Sequence, residues 1–279
     1  MIPARVVLHV LIAASLAAFA SGCVGDALVL GSNHEKIDAG KARRRIVHAD
    51  GRAVECWVAR SPGAMEPGHP PAAYVLVFIG KGDRADRWIA PVAGAWGAKP
   101  VELWGMNYPG SGGTDGPTQL SSVVPDALAT YDAVRREAGR RPIFVQAGSF
   151  GTSVGLAVAA RRPVAGLILQ NPPPLRQLIL GYYGWWNLWL LAVPAAQQIP
   201  PDLDSIANAA NVHSPAVFIL AGNDVIIPPY YHELVVSAYA GPKRRIDIPG
   251  GGHDGGLTRE AAAELSKGID WLWQGAGLR

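Results

Sequence analysis

The sequence predicts one α/β domain, built on a mostly parallel β-sheet with helices on both faces. A continuous apolar run at 73–79 (AYVLVFI), rich in β-branched and aromatic residues, is typical of a strand that is covered on both faces. Similar runs alternate with segments of helical periodicity along the chain, which is the order of elements in parallel α/β sheets. The length of 279 residues, with 49% hydrophobic and 17% charged residues, suits one large ordered domain.

The N-terminal region predicts a secretion signal. A single charge, Arg5, precedes the apolar run 6–20, which is too short to span a bilayer comfortably and matches the core of a signal peptide. The run leads into ASGC, ending at Cys23, which resembles the bacterial lipoprotein signal, in which this cysteine carries lipid. We therefore expect a signal peptide at 1–22, a lipid-attached tether at 23–42, and a membrane-anchored lipoprotein of the bacterial cell envelope. Ordinary secretion and an uncleaved membrane anchor are the alternatives.

Strand and helix signals follow one another from residue 43 onward, and we assign 43–279 to the folded domain. Two strand-like runs flank Asp50-Gly51, a strong hairpin-turn signal. We expect further strands within 73–79, 101–104, 143–147, 164–169, 216–220 and 245–248, and helices within 128–138, 150–161, 230–239 and 265–272. Residues 171–214 interrupt this alternation with three consecutive prolines and an aromatic run (YYGWWNLW), so we interpret them as an insertion.

Composition excludes several classes of function. The 25 basic and 22 acidic residues are spread along the chain. The sequence has neither a basic stripe nor a nucleic-acid-binding module, so no nucleic-acid partner is expected. Two cysteines indicate no disulfide framework, and Cys56, within a strand-like run, is expected to be a buried structural thiol. No cluster of histidines, cysteines and acids has the spacing of metal ligands, so we expect no metal and no organic cofactor.

The strongest chemical signal is a serine placed between a buried strand and a helix, in the run QAGSFGTS at 146–153. A nucleophile elbow needs small residues two positions before and after the serine, because the strand and helix backbones pass closely there. Gly151 meets this need, and Ala147 stands where the common G-x-S-x-G pattern has glycine. Ser149 would face the sheet edge at which α/β proteins bind ligands. The alternative is a Gly-Ser turn in which Ser149 only caps the helix.

A serine hydroxyl needs a neighbouring base to become a good nucleophile. His253 lies in a glycine-rich loop (PGGGHDG) between a strand and the last helix, from which it can reach over the sheet edge. His213 closes the insertion, and His232 lies mid-helix, where a surface position is the usual one. We predict His253 as the base.

The acid that orients this histidine is predicted to be Asp224. It follows a buried strand in the run AGND, and its carboxylate would hold the tautomer of the base and stabilise the imidazolium. An Asx-turn is the alternative role for this side chain. Asp247 and Asp254 are rivals, but the first falls within a strand and the second adjoins the histidine that it would have to face.

Four separated motifs now stand in one order: NYPGSGGTDG at 107–116, the Ser149 elbow, GNDVIIPP around Asp224, and GGH at His253. Together they resemble the α/β-hydrolase family over about residues 43–273, and most of all its esterase, lipase and serine-aminopeptidase-like members with a single transmembrane or lipid anchor. The resemblance implies the α/β-hydrolase fold and a triad of these three residues.

The resemblance also implies an oxyanion hole. One donor would be the amide of Phe150, which follows the nucleophile. The second would come from the loop IGKG at 79–82, where the amide of Lys81 is the expected donor and that of Gly82 the alternative. This loop has glycine but lacks the histidine that many members carry there.

In this family the insertion between the two strands covers the active site, and here it is rich in aromatic residues. These side chains are open to three interpretations: a hydrophobic substrate pocket, packing of the cap onto the core, or contact with a lipid surface. We expect a serine hydrolase that cleaves an ester or thioester of a hydrophobic acyl group through an acyl-enzyme on Ser149. The expected partners are a small-molecule or lipid-like substrate and the membrane. A peptidase or aminopeptidase-like activity, and a non-catalytic envelope lipoprotein that keeps the fold, are the alternatives.

Overall fold

The computed structural model describes residues 25–26, 29–65, 70–185, 190 and 192–279. The predicted signal peptide at 1–22 and the lipidation site Cys23 lie outside the described residues, as do Trp186 and Trp189 of the insertion. No helix in the described part of the chain combines the length and the hydrophobicity needed to cross a bilayer.

Eight strands form one sheet. In chain order they are β1 (Arg43–Ala49), β2 (Arg52–Arg60), β3 (Ala73–Phe78), β4 (Val101–Met106), β5 (Ile143–Gly148), β6 (Gly166–Gln170), β7 (Ala216–Ala221) and β8 (Lys243–Ile248). Their order across the sheet is β1-β2-β4-β3-β5-β6-β7-β8. The first two form a hairpin, β2 runs antiparallel to β4, and every later neighbouring pair is parallel. The predicted mostly parallel sheet and its leading hairpin are confirmed.

Helices cover both faces of the sheet. They are α1 (Ala85–Ala95), α2 (Leu120–Ala138), α3 (Phe150–Ala159), α4 (Leu175–Gly181), α5 (Ala192–Gln197), α6 (Ser205–Ala209), α7 (Pro229–Ala238) and α8 (Arg259–Gly275). Successive side chains of a strand point to opposite faces. On β5, Phe144 packs against Trp96 just after α1 and against Trp273 of α8. The next residue, Val145, lies under α3, where a Cβ at Gly155 would come within 2.9 Å of it.

The segment before β1 packs against the domain. Val29 and Leu30 belong to the hydrophobic core, and the Leu30 carbonyl accepts a hydrogen bond from the Gly82 amide at 3.0 Å. Asn33 donates from Nδ2 to the Gly82 carbonyl, also at 3.0 Å. The prediction of a tether over 23–42 is therefore wrong for residues 29–33, because their apolar side chains gain burial and their polar groups bond to the loop after β3.

The cap is smaller than the predicted insertion 171–214. Helices α4 and α5 pack against each other, whereas α6 packs against α3 and α7 and so belongs to the body of the domain. Asp204 caps α6 by accepting hydrogen bonds from the amides of Ile206 and Ala207. Within the described residues, the cap proper consists of α4, α5 and residues 182–185 and 190.

Candidate active site

Ser149 occupies a strained turn between β5 and α3. Its φ of 50° lies in the left-handed region, which a residue other than glycine adopts at a cost of about 1–3 kcal/mol. A Cβ at Gly151 would lie 2.2 Å from the Phe78 carbonyl oxygen, so only glycine fits two positions after the serine. The Ser149 side chain makes no capping hydrogen bond to α3. The alternative of a helix-capping serine is therefore wrong.

The structure brings Ser149, His253 and Asp224 together at the carboxyl-terminal edge of the sheet. The His253 Nε2 atom lies 2.9 Å from Ser149 Oγ, and its Nδ1 atom lies 2.7 Å from Asp224 Oδ2. The serine follows β5, the aspartate follows β7 and the histidine follows β8, so three parallel strands deliver the three side chains to one edge. An Nδ1–H that donates to the carboxylate leaves the Nε2 lone pair to accept the serine hydroxyl proton.

Asp224 uses its two carboxylate oxygens differently. Oδ1 accepts hydrogen bonds from the amides of Ile226 at 2.9 Å and Ile227 at 2.8 Å, which is the Asx-turn that the sequence left as an alternative. Oδ2 faces His253, so the turn and the triad contact coexist in one side chain. Burial opposes ionisation of this carboxyl. Contacts from the histidine side chains and the Ile227 amide outweigh burial and hold the pKa of Asp224 well below its ordinary value.

A second histidine reaches the same aspartate. His232, on α7, is only 1% exposed, and its Nε2 atom lies 3.2 Å from Asp224 Oδ2, at an angle short of a regular hydrogen bond. Its Nδ1 atom lies 3.4 Å from the Pro172 carbonyl. The surface position expected for His232 is therefore wrong. Its spacing of eight residues after Asp224, on the helix entered directly from the aspartate loop, was the available signal.

Asn171 fixes the loop that carries the base. It is buried with a φ of 50°, directly after β6. Its Nδ2 donates to the His253 carbonyl at 3.2 Å, and its Oδ1 accepts from the Ala221 amide at 2.9 Å. This side chain therefore ties the end of β7 to the histidine loop. Sequence reasoning treated Asn171 only as the start of the insertion.

The loop after β3 lies beside the serine. A Cβ at Gly80 would lie 3.6 Å from Ser149 Cβ, and Lys81, Phe150 and Ser149 line the same cavity. The Gly82 amide donates to the Leu30 carbonyl, so this alternative oxyanion donor is already engaged. The geometry leaves the amides of Phe150 and Lys81 as the two predicted donors at this site.

A cavity of about 490 Å³ opens at Ser149 beneath the cap, and we call it the acyl cavity after the role that we propose for it below. Its walls are almost wholly apolar and include Val29, Leu178, Ile179, Ala195, Ile226 and Ile227. The aromatic residues of the cap divide by position. Tyr183 lines the cavity, and the Tyr182 hydroxyl donates to the Val225 carbonyl at 3.0 Å. Trp185 is 65% exposed.

Two further predictions concern side chains away from the serine. Cys56 is fully buried beside Thr130, and burial raises the pKa of its thiol to about 12, which suits an inert structural cysteine. Within the described residues no group of three or more histidine, cysteine, aspartate or glutamate side chains is arranged to hold a metal ion.

Residues 69–200 match the family model described as serine aminopeptidase, S33. An uncharacterised protein of Mycobacterium tuberculosis is 31% identical to this chain over 184 residues, which are 64% of this chain and 62% of that protein. The match thus spans less than two thirds of the relative's length.

Solved structures show the same fold at low identity. Est1E from Butyrivibrio proteoclasticus, in a structure with ferulic acid bound, has a TM-score of 0.65 and 16% identity, over 84% of this chain and 99% of that one. A puromycin-hydrolysing peptidase of Mycobacterium tuberculosis has a TM-score of 0.62 and 18% identity, over 88% of this chain and 41% of that one. The chain therefore has the α/β-hydrolase fold, and its residues 69–200 are similar to the serine aminopeptidase, S33 family.

Proposed function

We propose that this protein hydrolyses an ester or thioester of a hydrophobic acyl group through an acyl-enzyme on Ser149. The observation that carries the proposal is the 2.9 Å contact between Ser149 Oγ and His253 Nε2 at the mouth of the apolar acyl cavity. Burial of an apolar chain in such a cavity drives recognition by removing hydrocarbon surface from water.

The chemistry follows from the positions of the side chains. Ser149 Oγ attacks the carbonyl carbon while His253 Nε2 takes the hydroxyl proton. The amides of Phe150 and Lys81 donate to the oxyanion of the tetrahedral intermediate, and the carboxylate of Asp224 stabilises the imidazolium. His253 then gives its proton to the leaving alcohol or thiol. Water completes the cycle by the same two steps, with His253 again as base.

An assay of two substrate series tests this proposal. One series holds p-nitrophenyl esters of increasing acyl length, and the other holds aminoacyl p-nitroanilides. We expect turnover of the esters, with kcat/KM rising with chain length until the acyl cavity is filled, and loss of turnover in Ser149→Ala. Turnover of the anilides alone would replace the esterase with the peptidase alternative, and turnover of neither series would favour the non-catalytic alternative.

We also propose that lipid on Cys23 anchors the protein to a membrane of the bacterial cell envelope. The Gly25 amide, two residues further on, donates to Gln198 Oε1 at 2.7 Å, directly after α5 of the cap. In the same region Leu190 is 75% exposed and Val193 is 40% exposed. An anchor there would hold the mouth of the acyl cavity against the lipid surface, where apolar side chains partition favourably.

Intact-mass measurement of the membrane fraction tests the anchor. We expect a chain that begins at residue 23 and carries the added mass of acyl groups, and we expect Cys23→Ser to leave the membrane fraction. An unmodified Cys23 in a cleaved chain would support ordinary secretion instead. Cys56→Ser is the matched control, because the same change at this buried thiol removes no lipidation site.

A further inference from the structure

A second cavity, of about 520 Å³, meets the serine from the other side. It lies against one face of the sheet, between Trp88 and Val92 of α1 and Leu265 of α8, and it reaches up to His253. We call it the sheet cavity. It shares Ser149 with the acyl cavity and no other described lining residue. A substrate carbonyl at Ser149 therefore has two separate spaces, one for each of its substituents.

Two glutamines stand in the floor of the sheet cavity. Gln146 of β5 lies in register between Val77 and Ile168 on the neighbouring strands. Gln170, at the end of β6, lies in register with Gly148 and Ile219. Residues in register on parallel strands point to the same face, and positions 146 and 148 of one strand share that face. Both carboxamides therefore rise from an otherwise apolar floor.

The position of Gln170 relative to the nucleophile is fixed by a backbone hydrogen bond. Its carbonyl accepts from the Ser149 amide at 2.8 Å, so its side chain starts directly beside the reacting serine. Gly148 leaves the space between the strands open, since a Cβ there would meet nothing within 4 Å. Gln146 lies deeper, and its Oε1 accepts from Trp96 Nε1 at 2.9 Å, which orients its amide.

A polar side chain in an apolar cavity costs free energy unless it finds hydrogen-bond partners. Among the described residues, the side chain of Gln170 has no hydrogen-bond partner. The side chain of Gln146 has one, because its Oε1 accepts from Trp96 Nε1. Asp83, Asn171, His253 and Asp254 also line this cavity, and the two carboxamides add neutral donors and acceptors to it. A hydroxyl group needs both a donor and an acceptor, and a carboxamide offers the two side by side.

We infer that the sheet cavity binds the leaving group and selects an alcohol that carries further hydroxyl groups, such as a glyceryl group. This inference rests on the proposed function, because it assigns the alcohol side of the ester to this cavity and the acyl side to the acyl cavity. Gln170 contacts the hydroxyl next to the ester oxygen, and Gln146 contacts one further along.

A pair of esters of one fatty acid tests the inference, one with glycerol and one with 1-propanol. We expect the full-length wild-type protein to favour the glyceryl ester about tenfold in kcat/KM, which is the size of one or two neutral hydrogen bonds. Gln170→Leu has nearly the same shape and should bring this ratio close to one. Gln274→Leu, the same change at an exposed position of α8, should leave the ratio as in wild type.

Product partitioning gives a readout that needs no variant. With a p-nitrophenyl ester as donor, an added alcohol competes with water for the acyl-enzyme. Its hydroxyl proton passes to His253, its oxygen bonds to the acyl carbon, and Ser149 leaves as the free hydroxyl. Because the acceptor enters through the leaving-group site, we expect glycerol to form more ester than 1-propanol at equal concentration.

Different results overturn different claims. Equal kcat/KM for the two esters in wild type, or a preference that Gln170→Leu retains, would overturn the assignment of the sheet cavity and leave the esterase intact. Equal partitioning between glycerol and 1-propanol would do the same. Hydrolysis of neither ester nor of the p-nitrophenyl donor would overturn the proposed function, and this inference with it.

Discussion

At the scale of single residues, Asp224 is the most heavily used group in the site. One oxygen accepts two backbone amides, and the other faces both His253 at 2.7 Å and His232 at 3.2 Å. Four neighbours therefore hold a carboxylate whose exposed fraction is only 3%. Because the pKa of Asp224 is lowered, we expect the acid limb of the pH–rate profile not to report its titration.

We expect His232→Gln to lower kcat by about tenfold with little change in KM, because the aspartate loses one of its orienting contacts while the two cavities keep their walls. Steady-state kinetics on a p-nitrophenyl ester measures this split. His213→Gln is the matched control, since His213 is exposed and precedes β7, whereas Asp224 follows the other end of that strand. Unchanged kcat in His232→Gln would show that the contact with Asp224 is only structural.

At the scale of elements, close contacts between backbones and a few buried hydrogen bonds determine where the active-site loops lie. The contact of α3 with β3 at Gly151 places the serine, and the Tyr108 hydroxyl pins the end of β3 by donating to the Ile79 carbonyl at 2.8 Å. Glu55 of β2 in turn holds the loop after β4, because it accepts from Asn107 at 2.7 Å and from the Gly113 amide at 2.9 Å. The motif at 107–116 is thus a scaffold for the end of β3 and for the loop that follows it.

Gly151→Ala is expected to destabilise the fold by about 1–3 kcal/mol or more, since the added methyl would overlap the Phe78 carbonyl and force strand and helix apart. Thermal unfolding measures the change. Gly94→Ala, in α1, is the matched control: a Cβ there meets nothing within 4 Å, and the change should stabilise the helix by about 0.5–1 kcal/mol. A Gly151→Ala variant as stable as wild type would contradict this account of the elbow.

Glu55 makes stability depend on pH in a definite direction. Burial opposes its ionisation, but hydrogen bonds from Arg44, Gly113 and Asn107 outweigh burial and lower its pKa. A group with a lowered folded pKa stabilises above its unfolded pKa, about 4.3, and loses this contribution as pH falls through the folded value. Urea unfolding should therefore show Glu55→Gln less stable than wild type at pH 7, with a gap that narrows below about pH 4.

The control for this prediction is Glu264→Gln. Glu264 is paired with Lys267 on the exposed face of α8, and exposed pairs contribute about 0–1 kcal/mol. Its unfolding curve should stay close to that of wild type at both pH values. If the difference in stability between wild type and Glu55→Gln grew as the pH fell, it would contradict the lowered pKa of Glu55.

At the scale of the whole molecule, the sequence was sufficient to predict the fold and the meeting of three residues, for one physical reason. Parallel strands deliver whatever follows them to one edge, so a serine, an aspartate and a histidine that each follow a buried strand must converge there. Ser149, Asp224 and His253 satisfied this rule although 104 residues separate the first from the last. The hairpin at Asp50-Gly51 followed equally directly from local turn chemistry.

Other features depend on packing that no local pattern encodes. His232 is buried because α7 packs against Asp224, and helical periodicity alone does not reveal this, although the spacing of eight residues after Asp224 is a sequence signal for it. Residues 29–33 fall within the predicted lipid-attached tether, yet they pack against the loop at Gly82. The sheet cavity depends on how far α1 and α8 stand apart over Gln146 and Gln170, a distance that strand periodicity does not set.

Reaction of the full-length protein with a fluorophosphonate tests whether Ser149 is an activated nucleophile. We predict one covalent adduct per chain, mapped to Ser149 by mass spectrometry of the peptide that contains it. Labelling should be absent in Ser149→Ala and after heat denaturation, and much slower in His253→Gln. An unlabelled Ser149 in the folded wild-type protein, or equal labelling of Ser149→Ala at another residue, would contradict it.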